Sequence, residues 1–383
     1  MLELQTAPAP QTAAPNWFAL ADRLGQECAE CEATADATDR FVSENFERLK
    51  AAGLSAAGVP LELGGGGASY SEICQVLRIL GRHCSSTALS FSMHTHQVMV
   101  PTWKWQHKKA PVEGLLQRIA RDRIILLSTG GKDWLNGSGV ATPTEGGFLI
   151  NARKGFVSGA PAGDLLVTSA VYNDPAKGKT ALHFALPMQT PGVSIDPVWQ
   201  AMGMRGTGSH NVVLTDVFVP EGAIALRRPV GQWHPAFHLI TLIAIPIIYS
   251  VYVGVAEAMR NLVVQQASKR WQDDHLCYLV GGMENELAAA RFALQHTIAT
   301  AESGPPSFET TNQVMTGRAL VAKSVLNVAD AAMEIVGGLA FHRPFGLEKL
   351  FRDIQGARYH PLRDEVQRKL SGQLALGVPE DEL

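Results

Sequence analysis

The chain has 383 residues, 46% hydrophobic and 18% charged, with a formal net charge of −3. This length exceeds one ordinary core and predicts two or three packed units, while the near-neutral balance excludes the basic footprint of a nucleic-acid binder. A charged fraction below the roughly 25% usual for soluble domains points to extra surface buried between subunits, and so to a homo-oligomer.

Residues 1–15 read as a loose Ala/Pro/Thr-rich arm, without the basic start and apolar core of a signal peptide. From Trp17 to Lys50 the apolar positions Leu20, Leu24, Phe41, Phe46 and Leu49 recur at helical spacing. Cys28-x-x-Cys31 lies in that helical setting with no second CxxC or CxxH, which favours a structural pair over a metal site. With Cys74, Cys84 and Cys277 the cysteines form no disulfide framework, so a reducing, cytoplasmic compartment is expected. Gly53 and Gly58-Val-Pro60 break the helical pattern, and Gly64–Gly67 form a loop lacking the Lys-Ser/Thr of a phosphate-binding P-loop. Ser69–Gly81 is helical again, and Ser85-Ser86-Thr87 caps a buried helix over Ala88–Trp105. That helix carries His94 and His96. A spacing of two does not put both rings on one face, which excludes a metal pair and leaves core histidines or one ring facing a pocket.

At Arg123 the period changes. Ile124–Leu127, Gly147–Asn151, Leu165–Tyr172, Ala181–Pro187, Val193–Pro197 and Asn211–Val219 are short β-branched or alternating runs separated by Gly, Asn and Pro, and predict an antiparallel β-barrel or sandwich. Beyond Val219-Pro220 the helical period returns over 233–267, 281–302, 310–336, 347–355 and 364–373. The most apolar run, Phe237–Gly254, carries His238, Thr241, Pro246 and two tyrosines without a basic or aromatic belt, so it reads as a buried core helix and no membrane partner is expected. The class is α+β: a helical part over 1–122, a β part over 123–228 and a helical part over 229–383.

Particular residues extend this order. Met202-Gly-Met-Arg-Gly-Thr-Gly-Ser-His-Asn211 followed by Val217-Phe-Val-Pro220, and Asn151-Ala-Arg-Lys-Gly-Phe-Val-Ser158, resemble motifs of the acyl-CoA dehydrogenase superfamily. The resemblance spans nearly the whole chain and implies an N-terminal helical domain, a middle β-domain and a C-terminal four-helix bundle. It implies FAD, or reduced FMN or FAD delivered by a reductase, held by Leu127, Ser128, Thr129, Phe156 and Ser158. Phe156 would cover the isoalloxazine ring and Ser158 would bond toward its N5 edge. Arg270, Glu334, Gly337 and Gly338 match residues that the family presents to the distal half of a neighbouring subunit's cofactor in a dimer or tetramer. The family usually has Gln where Glu334 stands, and Ser128-Thr-Gly-Gly-Lys-Asp-Trp-Leu135 departs from the family's Thr-Glu-Pro-x-x-Gly-Ser-Asp.

Dehydrogenation of an acyl thioester needs a positioned base at the α-carbon. The family's glutamate position after the Arg352-Asp353 pair falls on Pro361, beside His360, and the alternative position falls near Ala244. Three explanations stay open: His360 is the base, a local shift brings in Asp364 or Glu365, or no acyl proton is removed. The first reading is therefore a CH–CH dehydrogenase of an acyl thioester that passes electrons to an acceptor. The second is a two-component flavin monooxygenase on the same scaffold, served by a flavin reductase, with His94, His96, Ser158 and His360 as hydrogen-bonding groups. The third is a catalytically silent flavin-binding homologue.

Overall fold

The computed structural model describes residues 15–133, 135–361 and 363–382. The arm expected over 1–15 lies, except for its last residue, outside them.

The N-terminal part consists of α1 (Trp17–Thr38), α2 (Ser43–Ala51), α3 (Tyr70–His83), α4 (Ser85–Lys108) and α5 (Glu113–Asp122). The helical pattern from Trp17 to Lys50 is split at Asp39, which takes φ 54° and ends α1. A reciprocal Ser69–Glu72 capping box starts α3, and its apolar face, Ile73, Val76, Leu77 and Leu80, is buried.

Among the described residues, the middle part is one sheet of eight strands: β1 (Leu126–Ser128), β2 (Val140–Thr144), β3 (Gly147–Val157), β4 (Leu165–Asp174), β5 (Gly178–Pro187), β6 (Val193–Asp196), β7 (His210–Pro220) and β8 (Leu226–Pro229). A short helix, α6 (Gly130–Asp133), follows β1. The order is β6-β7-β3-β2-β4-β5-β8, with β1 alongside β4. Most pairings are antiparallel as expected, but β1–β4 and β2–β4 are parallel, which makes the sheet mixed. Two strands have weak signals in the sequence. β2 lies between β3 and β4 but pairs with β4 only at Val140–Val171, so Pro143 falls where the β4 side is open, and β8 is the edge strand Leu-Arg-Arg-Pro; proline and charge are what unpaired sheet margins use.

Among the described residues, the C-terminal part has three long helices, α7 (Ala236–Ala267), α8 (Asp274–Ser303) and α9 (Phe308–Val336), and two short ones, α10 (Leu347–Ile354) and α11 (Asp364–Ala375). α7 contains the apolar run and is long and apolar enough to cross a membrane by composition, but 94% of that window is buried inside the protein. It packs against α3, α4, α8, α9 and α10. The α3–α7 crossing depends on two glycines. A Cβ on Gly81 would stand 2.6 Å from the Val251 carbonyl oxygen, and one on Gly254 would stand 2.1 Å from that of Arg78. Backbone meets backbone there, which ties the N-terminal part rigidly to the central helix.

Candidate active site

The segment Asn151–Ser158 ends β3 in two register shifts against β7, between Ile150 and Ala152 and between Lys154 and Val157. Such bulges re-aim side chains at functional rims. Phe156 sits in the second, at φ 58° with 66% of its surface exposed. A bulky residue held in the left-handed region and presented to solvent is strain of the kind found at ligand sites. Its ring meets Trp199 edge-on at 6.3 Å and 84°. Trp199 is itself fixed, because its backbone N–H donates to His210 Nδ1 at 3.1 Å and its indole N–H to the Met204 carbonyl at 3.1 Å.

Behind this aromatic rim runs a chain of hydroxyls: Ser158 Oγ lies 2.8 Å from Ser209 Oγ, which lies 2.7 Å from Thr207 Oγ1. Thr129 is buried and pairs with Thr168 at 3.0 Å. Ser128 Oγ accepts weakly from the Gly130 N–H at 3.4 Å. The Leu127 side chain is core: a Cβ on Gly163 would lie 2.2 Å from its Cδ1. Two residues before Phe156, Lys154 turns inward. Its ammonium reaches Asp133 at 2.5 Å, the Ser138 carbonyl at 2.7 Å and the Ser169 carbonyl at 2.5 Å, which pins the turn after β1 to β3 and β4. Trp199, Ser209, Thr207 and Lys154 are additions to the residues expected from sequence. Lys154, Thr207 and Ser209 stand inside the two motifs, and the alternation along β3 turns Lys154 inward.

The α4 histidines hold structure together. His94 is 1% exposed; its Nε2–H donates to the Ser55 carbonyl at 2.8 Å, and its Nδ1 accepts the Leu126 N–H at 3.0 Å. Both nitrogens are committed to joining α4, the loop at Ser55 and the start of β1, so the ring is a clamp with no nitrogen left for a reactant. It also lines a cavity of about 10 Å³ with Ser55, Ile73, Phe91 and Met99, too small for any substrate. His96 is buried, with Nδ1–H donating to the Ser92 carbonyl at 3.2 Å and Nε2 beside Gln97 at 3.2 Å. Burial pushes both imidazoles down to about 4.

His360 lies in the turn after α10, half-buried, with Nε2 2.7 Å from the hydroxyl of the fully buried Tyr252 on α7. Tyr249 donates to the Ala357 carbonyl at 2.7 Å and stands edge-on to the His360 ring at 6.2 Å. Arg318 of α9, fully buried, donates to the His360 carbonyl at 2.9 Å. Burial first, and then the Arg318 charge, push His360 down to about 4, so the ring is neutral at pH 7. The carboxylates downstream are occupied or remote: Asp364 is held by Arg318 at 2.5 Å, and the Glu365 side chain is 70% exposed beside Arg363. Ala244 is buried within the aliphatic stretch of α7.

The Arg352-Asp353 pair serves as a structural junction. Asp353 accepts from Ser85 Oγ at 2.5 Å, the Met204 N–H at 2.5 Å and Lys349 Nζ at 2.6 Å. Lys349 also reaches Glu32 at 3.2 Å, and Glu32 in turn accepts the Ser86 N–H at 2.7 Å. Arg352 makes a two-pronged pair with Asp36, at 3.0 and 2.7 Å. A Cβ on Gly203 would lie 2.3 Å from the Arg352 carbonyl, so the 202–204 loop needs glycine to approach α10. Arg270, Glu334, Gly337 and Gly338 all lie on the outside of the chain; the Arg270 side chain is 65% exposed and meets Asp273 at 2.9 Å. No described contact joins them to the Phe156 rim.

The order of a helical part, a sheet and a second helical part, together with the proteins it matches, places the chain among enzymes of the oxidoreductase class. The chain belongs to the acyl-CoA dehydrogenase superfamily: the N-terminal, middle and C-terminal domains of acyl-CoA dehydrogenase match residues 19–109, 128–217 and 246–375. It is 27% identical to the putative acyl-CoA dehydrogenase YdbM of Bacillus subtilis, over 93% of this chain and 96% of that protein. It is also 27% identical to an L-evernosamine nitrososynthase of a Micromonospora species, over 99% of this chain and 93% of that protein. Among solved structures it superposes with a TM-score of 0.85 on KijD3 in complex with FMN and dTDP-3-amino-2,3,6-trideoxy-4-keto-3-methyl-D-glucose, at 24% identity, covering 98% of this chain and 97% of that one.

Proposed function

We propose that this protein is the oxygenase of a two-component flavin-dependent monooxygenase, receiving reduced FMN or FAD from a separate reductase and adding one oxygen atom to a nucleophilic heteroatom, foremost an amine nitrogen, of a small molecule. The observation that carries this reading is the missing carboxylate. By the resemblance, the family's base positions fall on Pro361 and near Ala244, neither a carboxylate, while Asp364 is bound to Arg318 and Glu365 points to solvent. Removing an acyl α-proton requires a base within hydrogen-bond reach, and these positions offer none. The nitrososynthase relative supports nitrogen as the atom oxidised, and the FMN complex of KijD3 supports a flavin. The likeness to YdbM favours the dehydrogenase as the second reading.

The rim fits a flavin. The exposed Phe156 ring, braced by Trp199, offers an apolar plate for one face of a tricyclic ring, and Ser158, Ser209 and Thr207 offer hydroxyls at its edge. Bound in reduced form, flavin supplies the electrons that activate dioxygen. The Lys154–Asp133 pair holds the turn after β1 in place beside the rim, and His360 supplies a neutral ring nitrogen. Arg270, Glu334, Gly337 and Gly338 are open to the cofactor of a second copy, and the exposed Trp271, Tyr278 and Phe341 give that copy apolar surface to cover. The free cysteines agree with a cytoplasmic setting.

The test supplies the protein with FMN, NADH, a flavin reductase and ¹⁸O₂ over a panel of primary amines. One ¹⁸O atom in an N-oxidised product is the expected result. Oxygen consumption that yields only hydrogen peroxide across amines and thioethers alike would count against the reading.

A further inference from the structure

We propose that Tyr252 is a positioning residue that locks His360 in the tautomer with its proton on Nδ1, so that the ring acts as a hydrogen-bond donor toward the reacting groups and not as a base. The Tyr252 hydroxyl and His360 Nε2 share one proton across a 2.7 Å contact. Tyr252 is fully buried, and His360 is the one hydrogen-bond partner of its hydroxyl among the described residues. If Nε2 carried the proton and donated to the phenol oxygen, the phenol's own proton would be left without an acceptor in the core. Such an orphan costs about 1–3 kcal/mol. With the phenol donating to an unprotonated Nε2, nothing at Tyr252 is orphaned and the imidazole proton moves to Nδ1. That second nitrogen has no hydrogen-bond partner among the described residues and belongs to a half-buried ring, so it is the atom left for a ligand.

The surroundings hold this arrangement in place. A Cβ on Gly356 would stand 2.6 Å from the Tyr252 oxygen, so only glycine there lets the hydroxyl keep its seat. Tyr249 and Arg318 grip the carbonyls of Ala357 and His360, fixing the turn that carries the ring. A charged imidazolium would lose the phenol's hydrogen bond and face Arg318, and burial already favours the neutral ring. The role as donor rests on the oxygenase reading; the tautomer itself does not.

The experiment is long-range ¹H–¹⁵N correlation NMR on protein labelled with ¹⁵N-histidine, with His360 assigned by its loss in His360→Asn. The expected spectrum shows a protonated Nδ1 and a bare Nε2, the reverse of the tautomer a free histidine side chain favours. Tyr252→Phe should return the ring toward the Nε2-protonated form and lower kcat about tenfold, the equivalent of one hydrogen bond, while flavin affinity stays within about twofold. His360→Asn, whose amide N–H group lies near the place of Nδ1, should retain more turnover than His360→Gln, which reaches toward Nε2. A protonated Nε2 in the unmutated protein overturns the proposal, as does an unchanged tautomer in Tyr252→Phe. A correct tautomer without any oxygenase turnover would overturn the function reading and the donor role while leaving Tyr252's effect on the ring standing.

Discussion

Replacing Asp353 by alanine is expected to destabilise the protein by about 3–5 kcal/mol, the usual cost of breaking a buried ion pair from one side. Asp353 is 0% exposed and collects three donors, from α4 (Ser85), the 202–204 loop (Met204 N–H) and α10 (Lys349). Removing it leaves the Met204 N–H orphaned and Lys349 with Glu32 as its remaining buried carboxylate. Burial works against both charges, yet Lys349 holds Glu32 below the ordinary carboxylate range, and Asp353 and Glu32 hold Lys349 above the ordinary amine range. The damage should extend to the site, because the Met204 carbonyl accepts the Trp199 indole proton and Trp199 braces Phe156. Guanidinium unfolding of Asp353→Ala beside the unmutated protein is the measurement, with flavin titration as its companion. A loss below about 1 kcal/mol, the size of an exposed pair, would show that the junction is not a keystone.

A second large effect concerns acid. His94 and His96 are neutral in the fold and pushed down to about 4, against 6.5 for an unperturbed histidine. Because the folded value lies below the unfolded one, their contribution is fully present above pH 6.5 and is lost as pH falls toward 4. Between those values the unfolded chain binds two more protons than the folded one. The loss is roughly 1.4 kcal/mol per pH unit for each ring, or roughly 4 kcal/mol for the pair between pH 7 and pH 5. His183 and His360, also pushed down to about 4, act in the same direction. Denaturant unfolding at pH 7, 6 and 5 checks this, and His94→Asn should flatten the slope. Equal stability at pH 7 and pH 5 would contradict it.

Much of the fold is legible in the residues, because the period switches at Arg123, where helix gives way to strand, and the helical period read after Pro220 resumes in the structure at α7, past the short strand β8. The elements missed are those whose signals are weak for physical reasons. β2 carries a proline, β8 two arginines, and α5 buries only Leu116 and Ile119. The site is less legible. Motifs point to Phe156 and Ser158, but Trp199 reaches the rim through a loop, and Tyr252 reaches His360 from 108 positions away. Spacing alone leaves the α4 histidines open between core and pocket; only three-dimensional contacts with Ser55 and Leu126 show His94 as a clamp. The Arg352-Asp353 pair, in sequence only a landmark for the family's base position, joins α1, α4, α10 and the 202–204 loop.

The most direct measurement of the oxygenase reading is made without oxygen. Protein loaded with oxidised flavin is mixed anaerobically with a panel of acyl-CoA thioesters of increasing chain length, and the visible flavin absorbance is followed. If the family's base positions fall on Pro361 and near Ala244, as the resemblance implies, the spectrum is expected to stay oxidised for every thioester. Bleaching of the bound flavin by any of them, with formation of the enoyl product, would contradict the account.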